Sequence, residues 1–240
     1  MNHEDKNISV DLYGDGIGKV QLVQSMGSDA TIVRAARVSF GKDSSSEELS
    51  EKDKKLIRYL IKHKHTSTLE HCNLTFKFTV PLFIRSQHHR HRTWSYNEIS
   101  RRYTDVDLQF YEPKQFRTQH KSNRQASNEN ELINPLIDKN GTDDSALAAA
   151  QVRRHHEESL KLYEDLIENG VCREQARGIL PQNLYTQYYG SSSLLNCLKF
   201  IGLRDHKGAQ YEIQVVAQAM LKILEDLYPI TIAAYKEFNY

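Results

Sequence analysis

Residues 85–103 read RSQHHRHRTWSYNEISRRY, the densest run of arginine and histidine in the chain. Three kinds of chemistry suit such a run. A solvated basic face is the ordinary outcome of clustered charge, and Glu98 is the only acid nearby; yet Trp94, Tyr96, Ile99 and Tyr103 interleave the polar groups. A metal site would draw on His88, His89 and His91, with His65 and His71 upstream. Adjacent histidines diverge on a helix, however, the HExxH spacing is missing, and flanking arginines repel a cation. The third chemistry is recognition of anions carried on planar rings. A guanidinium offers a rigid fork of donors to phosphate and stacks on aromatic faces, and aromatic neighbours exclude water and strengthen each contact.

Several elements must position this run. Residues 74–80 alternate Leu74, Phe76, Phe78 and Val80 with Thr75, Lys77 and Thr79, which predicts a strand with one apolar face. Pro81 ends it and can open a helix, so the basic run starts beside the core. Upstream, residues 8–13 and 19–24 read as short strands around Gly14-Asp15-Gly16. Thr31–Val38 reads as a helix and Gly41–Glu48 as a polar loop. Ser50 with Asp53 forms a capping box for a helix that buries Leu56, Ile57, Leu60 and Ile61. Residues 113–145 are rich in Asn, Gln, Lys, Asp and Ser, with a turn at Asn140-Gly141, and read as a long surface insertion. A long helix is predicted from about Ser145 to Glu168, stopped by Asn169-Gly170. A short helix follows at Arg173–Leu180, a strand at Leu184–Tyr189, and helices at Ser193–Leu203 and Gln210–Leu227. The mix reads as an α+β fold. Neither GxGxxG after a strand nor GxxxxGK[ST] is present, so no Rossmann or P-loop site is expected.

Composition narrows the function classes. The 240 residues carry 32 basic and 31 acidic side chains, a net +1, which argues against a protein that wraps nucleic acid. No apolar run reaches the ~18 residues needed to cross a bilayer, and Met1–Val10 does not resemble a secretory signal. Cys72, Cys172 and Cys197 form no CxxC pair and no disulfide framework. They read as buried small apolar residues in a reducing, cytoplasmic setting.

The basic run resembles the signature of the flavin-dependent thymidylate synthases. RHRx7S stands here as Arg90-His91-Arg92, seven residues, then Ser100. The longer RHRxxSxNExSxRY fits through Ser95, Asn97, Glu98, Ser100, Arg102 and Tyr103. RAARVSF at Arg34–Phe40, KHxHxSxxEH at Lys62–His71, REQARGILPxNLYT at Arg173–Thr186 and LRDHKGAQYEI at Leu203–Ile213 extend the resemblance over most of the chain; residues 113–145 fit it least.

What the resemblance implies is specific. It implies a single domain over 1–240, with a mixed or antiparallel sheet flanked by helices, thymidylate synthase-complementing-protein-like and homotetrameric. FAD would sit between subunits, with dUMP stacked on the flavin; methylenetetrahydrofolate and NADPH would be co-substrates. Arg90, His91 and Arg92 match residues that hold the flavin and reach dUMP, and Asn97 and Glu98 match further FAD contacts. Gln87, His88, His89, Glu98, Ile99 and Arg177 match dUMP contacts, and Ser100, Arg101 and Arg102 match a phosphate-cradling loop from a neighbouring chain. Ser67 matches a position touching FAD across a subunit boundary, and His65 one near flavin and folate. Ser193, Leu195 and Lys199 fall at FAD positions but depart from the family's Asn-x-Arg and later Asn; Lys199 suits an exposed surface slightly better than a phosphate contact. Gly208 stands where many relatives carry a histidine, with His206 two residues earlier.

Arg204 matches the arginine that stabilises an ionised uracil ring. A fixed cation beside N3 or O2 favours the anionic form, although an arginine there suits a structural ion pair equally well. No cysteine nucleophile is required, and Ser100 reads as a hydrogen-bonding group because no base is spaced to activate it. Two other classes remain open. A nucleic-acid module would use the arginines and interleaved aromatics, and a metal-dependent hydrolase would use some of the eleven histidines.

Overall fold

The computed structural model describes residues 8–41, 47–137 and 146–239. Parts of the N-terminal segment, of the loop at Gly41–Glu48 and of the insertion therefore lie outside the described residues, as do the Asn140-Gly141 turn and Ser145. Strand β1 (Ser9–Asp11) pairs antiparallel with β2 (Lys19–Met26). The reversal between them needs left-handed backbone at Tyr13, Gly14 and Gly16, and Asp15 Oδ1 closes it by accepting from the amides of Ile17 and Gly18 at 2.9 and 3.0 Å. Helix α1 (Asp29–Val38) starts two residues before the sequence reading. Helix α2 (Glu51–Lys62) opens on the predicted capping box. Ser50 N donates to Asp53 Oδ2 at 2.9 Å, and Asp53 N donates to Ser50 Oγ at 3.3 Å. Its Ile57, Leu60 and Ile61 are buried, and Leu56 is half-buried against the core.

Strand β3 (Asn73–Pro81) buries Leu74, Phe76, Phe78 and Val80 as the alternation requires. Pro81 hands the chain to α3 (Leu82–His88), and the chain then turns into β4 (Ser95–Glu98), a strand hidden in the sequence by its charged surroundings. Residues 113–137 hold regular structure where an irregular insertion was expected. Strands β5 (Phe116–Gln119) and β6 (Ser127–Ile133) form a hairpin, and β7 (Leu136–Ile137) pairs with β8 (Ala146–Leu147). Helix α4 (Ala148–Glu168) ends before Gly170, whose φ of 86° supplies the left-handed turn. Helix α5 (Arg173–Ala176) runs into a 3₁₀ turn at Arg177–Ile179.

Strand β9 (Tyr185–Ser193) runs four residues past the end of the predicted Leu184–Tyr189. Gly190-Ser-Ser-Ser reads as loop chemistry, but a Cβ at 190 would lie 3.0 Å from Phe78 and 3.3 Å from Trp94. The glycine is there so that two aromatic rings can cross the strand. Helices α6 (Leu194–Arg204), α7 (Tyr211–Leu227) and α8 (Pro229–Asn239) complete the described chain; α8 has no counterpart in the sequence reading.

The main sheet runs β1-β2-β3-β9-β4 with every neighbouring pair antiparallel, so the mixed alternative is resolved to antiparallel. The central pair, β3 with β9, is in register without a break from Asn73 opposite Ser193 to Pro81 opposite Tyr185. The main core joins β3 aromatics to the buried faces of α6, α7 and α8; a smaller cluster of Tyr163, Ala176, Leu180 and Leu184 sits under α4. No helix among the described residues is long and apolar enough to cross a membrane. The cysteine reading is corrected at one position. Cys72 and Cys197 are buried, but Cys172 precedes α5 and is exposed.

One buried carboxyl ties the two ends of the chain. Asp29 accepts from the amides of Ile230 and Thr231 and from the Thr231 hydroxyl, capping α8 from another helix. Burial raises its carboxyl above the ordinary value despite those bonds, so its charge adds little net stability. Asp29→Ala is expected to cost about 2–3 kcal/mol in urea unfolding, and Asp29→Asn less, because Oδ1 still accepts both Thr231 donors and only the Ile230 amide loses its acceptor. Equal losses for both would show that the charge, not the acceptor, is what matters.

Candidate active site

The nine-residue ladder of β3 and β9 places the ends of four segments around one cavity of about 510 Å³. Helix α3 supplies Leu82 and Arg85, the residues at and after the end of β4 supply Glu98 to Arg101, the 3₁₀ turn supplies Arg177 and Gly178, and β9 supplies Thr186. Two backbone bonds fix this arrangement: Leu82 N donates to Leu184 O at 3.0 Å, and Ile99 N to Gln187 O at 2.9 Å, which extends the β4–β9 pairing into the loop.

Three arginines and one carboxylate line the cavity, a formal excess of +2. Glu98 is already engaged. Thr186 Oγ1 donates to its Oε1 at 2.7 Å, and Arg85 Nε lies 3.2 Å from the same oxygen. That Arg85 N–H is off line, so it is buried without an acceptor, and Arg101 Nε is in the same position. Arg101 also spends two nitrogens on backbone, donating to Val106 O at 2.6 Å and Tyr185 O at 3.3 Å, and burial pushes its guanidinium below its ordinary value. Three guanidinium groups against one carboxylate favour a bound anion with several acceptor oxygens. The donor set therefore fits a phosphate. Ser100 Oγ accepts from Arg102 N at 3.3 Å and bonds no base.

A second cluster forms where α6 ends against the turn after α3. Arg204 Nε donates to His91 Nε2 at 3.2 Å, and Arg204 Nη2 reaches Gln87 O at 3.5 Å. Because Nε2 accepts, His91 carries its proton on Nδ1. Burial first, then Arg204, pushes His91 from its ordinary 6.5 down to about 4. The Tyr96 hydroxyl locks the turn by donating to His88 O at 2.9 Å and His91 O at 3.1 Å.

The sequence-assigned residues separate in space. Glu98, Ile99, Ser100, Arg101 and Arg177 line the cavity, while Gln87, His91 and Arg204 form the second cluster. His88 lies in the aromatic core, its ring fully buried among Phe78, Trp94 and Phe200 with Nδ1 2.8 Å from the Tyr188 hydroxyl. His89 packs on Tyr96 with ring centres 4.1 Å apart. Arg90, Arg92 and Asn97 are exposed; Arg102 is exposed and pairs with Glu174 at 3.2 Å. His65 and Ser67 lie on the exposed turn after α2, His65 edge-on to Tyr59. Leu195 and Lys199 line an apolar pocket of about 270 Å³ with Lys64 and Leu69. Ser193 caps α6 and lines a polar groove of about 500 Å³ with Ser95, Ser191 and Asn196.

Sequence reasoning passed over Arg85 and Thr186. Arg85 opens the basic run and lies on the first turn after Pro81, and Thr186 closes REQARGILPxNLYT; the β3–β9 register is what turns both toward Glu98. No three His, Cys, Asp or Glu side chains among the described residues come together as a metal site.

Comparisons with known proteins agree with this geometry. The family described as Thymidylate synthase complementing protein matches residues 21–230. A flavin-dependent thymidylate synthase of Thermus thermophilus is 42% identical over 220 residues, 92% of this chain and 76% of the relative. One from Wolbachia pipientis is 39% identical over 221 residues, 92% and 74% of the two chains. The UMP/dUMP methylase PolB of Streptomyces cacaoi, solved with 5-Br dUMP, superposes with a TM-score of 0.78 at 32% identity, over 96% of this chain and 98% of that one. Family profile, relatives and superposition agree over nearly the whole chain, which belongs to the thymidylate synthase complementing proteins, the flavin-dependent thymidylate synthases.

Proposed function

We propose that the chain methylates dUMP to dTMP, with methylenetetrahydrofolate as carbon donor and NADPH-reduced FAD as reductant, in a homotetramer whose sites are shared between subunits. The observation that carries this reading is the cavity lined by Arg85, Arg101 and Arg177 against the single carboxylate of Glu98, a formal excess of +2. It suits the phosphate of a mononucleotide, with Arg101, Arg177 and Ser100 as its donors. When bound, FAD supplies the hydride that completes the methyl group.

The chain's own residues do the positioning. Arg204 stands as a fixed cation for the uracil ring, where it favours the anionic form at N3 and O2. Neutral His91 holds Arg204 by accepting its Nε–H and the Gln87 carbonyl lies against Nη2, so the arginine is fixed from two sides and keeps Nη1 for another acceptor. Thr186 and Arg85 hold Glu98 in place. For FAD, Arg90 and Arg92 offer exposed guanidinium groups that pair with no acid among the described residues, and the groove of Ser193, Ser191 and Asn196 at the N-terminus of α6 offers hydroxyl and amide donors. His65 and Ser67 flank Thr66, which lines the apolar pocket with Leu195 and Lys199 on α6; in this reading that face meets FAD bound by a second copy of the chain. Exposed Val23, Met26 and Tyr189 on strands of the main sheet support such an interface. The reading treats 1–240 as one functional domain with 113–145 as an appendage, and three free cysteines suit a reducing cytoplasm.

Purified protein is expected to be yellow, absorbing near about 450 nm, and to form dTMP when given dUMP, methylenetetrahydrofolate and NADPH. A colourless protein that binds single-stranded nucleic acid, or one inactivated by chelator, would favour a different class. Arg204→Ala is expected to keep its flavin absorbance while dTMP formation falls by about 100-fold or more; unchanged turnover would remove Arg204 from the chemistry.

The depressed His91 value also fixes a pH dependence. Its folded value of about 4 lies below the ordinary 6.5, so the unfolded chain binds more protons between those values. The stability His91 contributes is complete above pH 6.5 and is lost as pH falls toward 4. In denaturant titrations across this window, His91→Gln is expected to flatten the pH slope of unfolding free energy relative to wild type. An unaltered slope would mean that His91 is protonated in the folded protein.

A further inference from the structure

The β5–β6 hairpin is connected to the substrate-binding residues by a line of half-buried polar groups that runs through buried Glu212. Arg117, on β5, donates from Nη2 to Glu212 Oε1 at 2.7 Å and from Nε to Ser127 Oγ on β6 at 2.9 Å. Its guanidinium lies 4.7 Å from the centre of the Tyr211 ring. Glu212, in the first turn of α7, is 4% exposed. Its other oxygen accepts from Gln210 Nε2 at 3.0 Å, and Gln210 Oε1 accepts from Gln87 Nε2. Gln87 in turn holds Arg204 through its backbone carbonyl.

The direction of each bond in this line follows from chemistry. A carboxylate paired with arginine offers only lone pairs, so Gln210 must turn its NH₂ to Glu212. Its carbonyl oxygen then faces Gln87, which must donate in return. The oxygen of Gln87 is left over, and no donor among the described residues reaches it. Two amides that are free to flip by themselves are thus set by the Glu212 carboxylate, which Arg117 of the separate hairpin holds in place.

We infer that Arg117 is a positioning residue for substrate binding: through Glu212 and Gln210 it holds Gln87 with its carbonyl oxygen presented to an N–H or O–H of the pyrimidine nucleotide. The inference rests on the dUMP reading above and gives the appendage at 113–137 a part in it. A buried ion pair that merely pins the hairpin is the simpler role for Arg117 and Glu212. The two differ in what they do to nucleotide affinity.

The test compares wild type with Arg117→Ala, Arg117→Lys and Glu212→Gln, and with Arg153→Ala, which removes an exposed pair to Glu112 away from the line. dUMP affinity is measured by equilibrium dialysis, KM and kcat by dTMP formation, and folding by thermal melting and flavin content. Arg117→Ala and Glu212→Gln are expected to raise both Kd and KM for dUMP about tenfold with kcat at saturating dUMP within about twofold. Arg117→Lys, which keeps a cationic donor, is expected to restore most of the affinity, and Arg153→Ala to match wild type. Folded Arg117→Ala and Glu212→Gln proteins that bind dUMP like wild type, whatever their melting temperatures, would overturn the inference alone. A folded wild type with no affinity for dUMP would overturn the functional reading and this inference with it.

Discussion

Like charges held close together are the constraint on which this structure turns. Arg85, Arg101 and Arg177 share one cavity wall with a single carboxylate. An excess of like charge around one cavity favours a bound anion. What holds the wall is the uninterrupted β3–β9 ladder, which fixes α3 on one side and the β4 loop on the other. The same ladder places Thr186 so that it shares Glu98 Oε1 with Arg85, which fixes the one acid on one arginine and leaves the other two without a carboxylate partner in the cavity wall. A scaffold that fixes charged groups before the ligand arrives is a form of preorganisation: the ligand does not have to pull the groups into place.

The second cluster applies the same logic with one added element. A histidine beside an arginine would repel it when protonated, and burial removes that outcome by depressing His91 to about 4. The neutral ring becomes an acceptor that orients Arg204 without reducing its charge. Cation placement at this site therefore depends on desolvation as much as on pairing.

Much of this was legible in the sequence, for physical reasons that differ by element. The β3 alternation and the Ser50–Asp53 capping box are local signals, and both are realised atom by atom. The fixed spacing from Arg90 to Ser100 pointed to the right family before any geometry was known. Long-range facts were hidden. Gly190–Ser193 looks like a linker and is strand, because the requirement for a small residue comes from Phe78 and Trp94 far away in the chain. His88 sits inside a polar motif yet fills the aromatic core, since in a helix its neighbours point elsewhere. Cys172 was read as buried from residue type alone and is exposed by its place before a short helix. The partnership of Arg117 with Glu212 spans 95 residues and leaves no local trace.

The central claim is that the cavity binds its ligand through a phosphate, and calorimetric titration of the wild-type protein tests it most directly. dUMP is expected to bind at least about 100-fold more tightly than deoxyuridine, with the difference shrinking as salt is raised. Equal affinity for the nucleotide and the nucleoside, independent of salt, would contradict it.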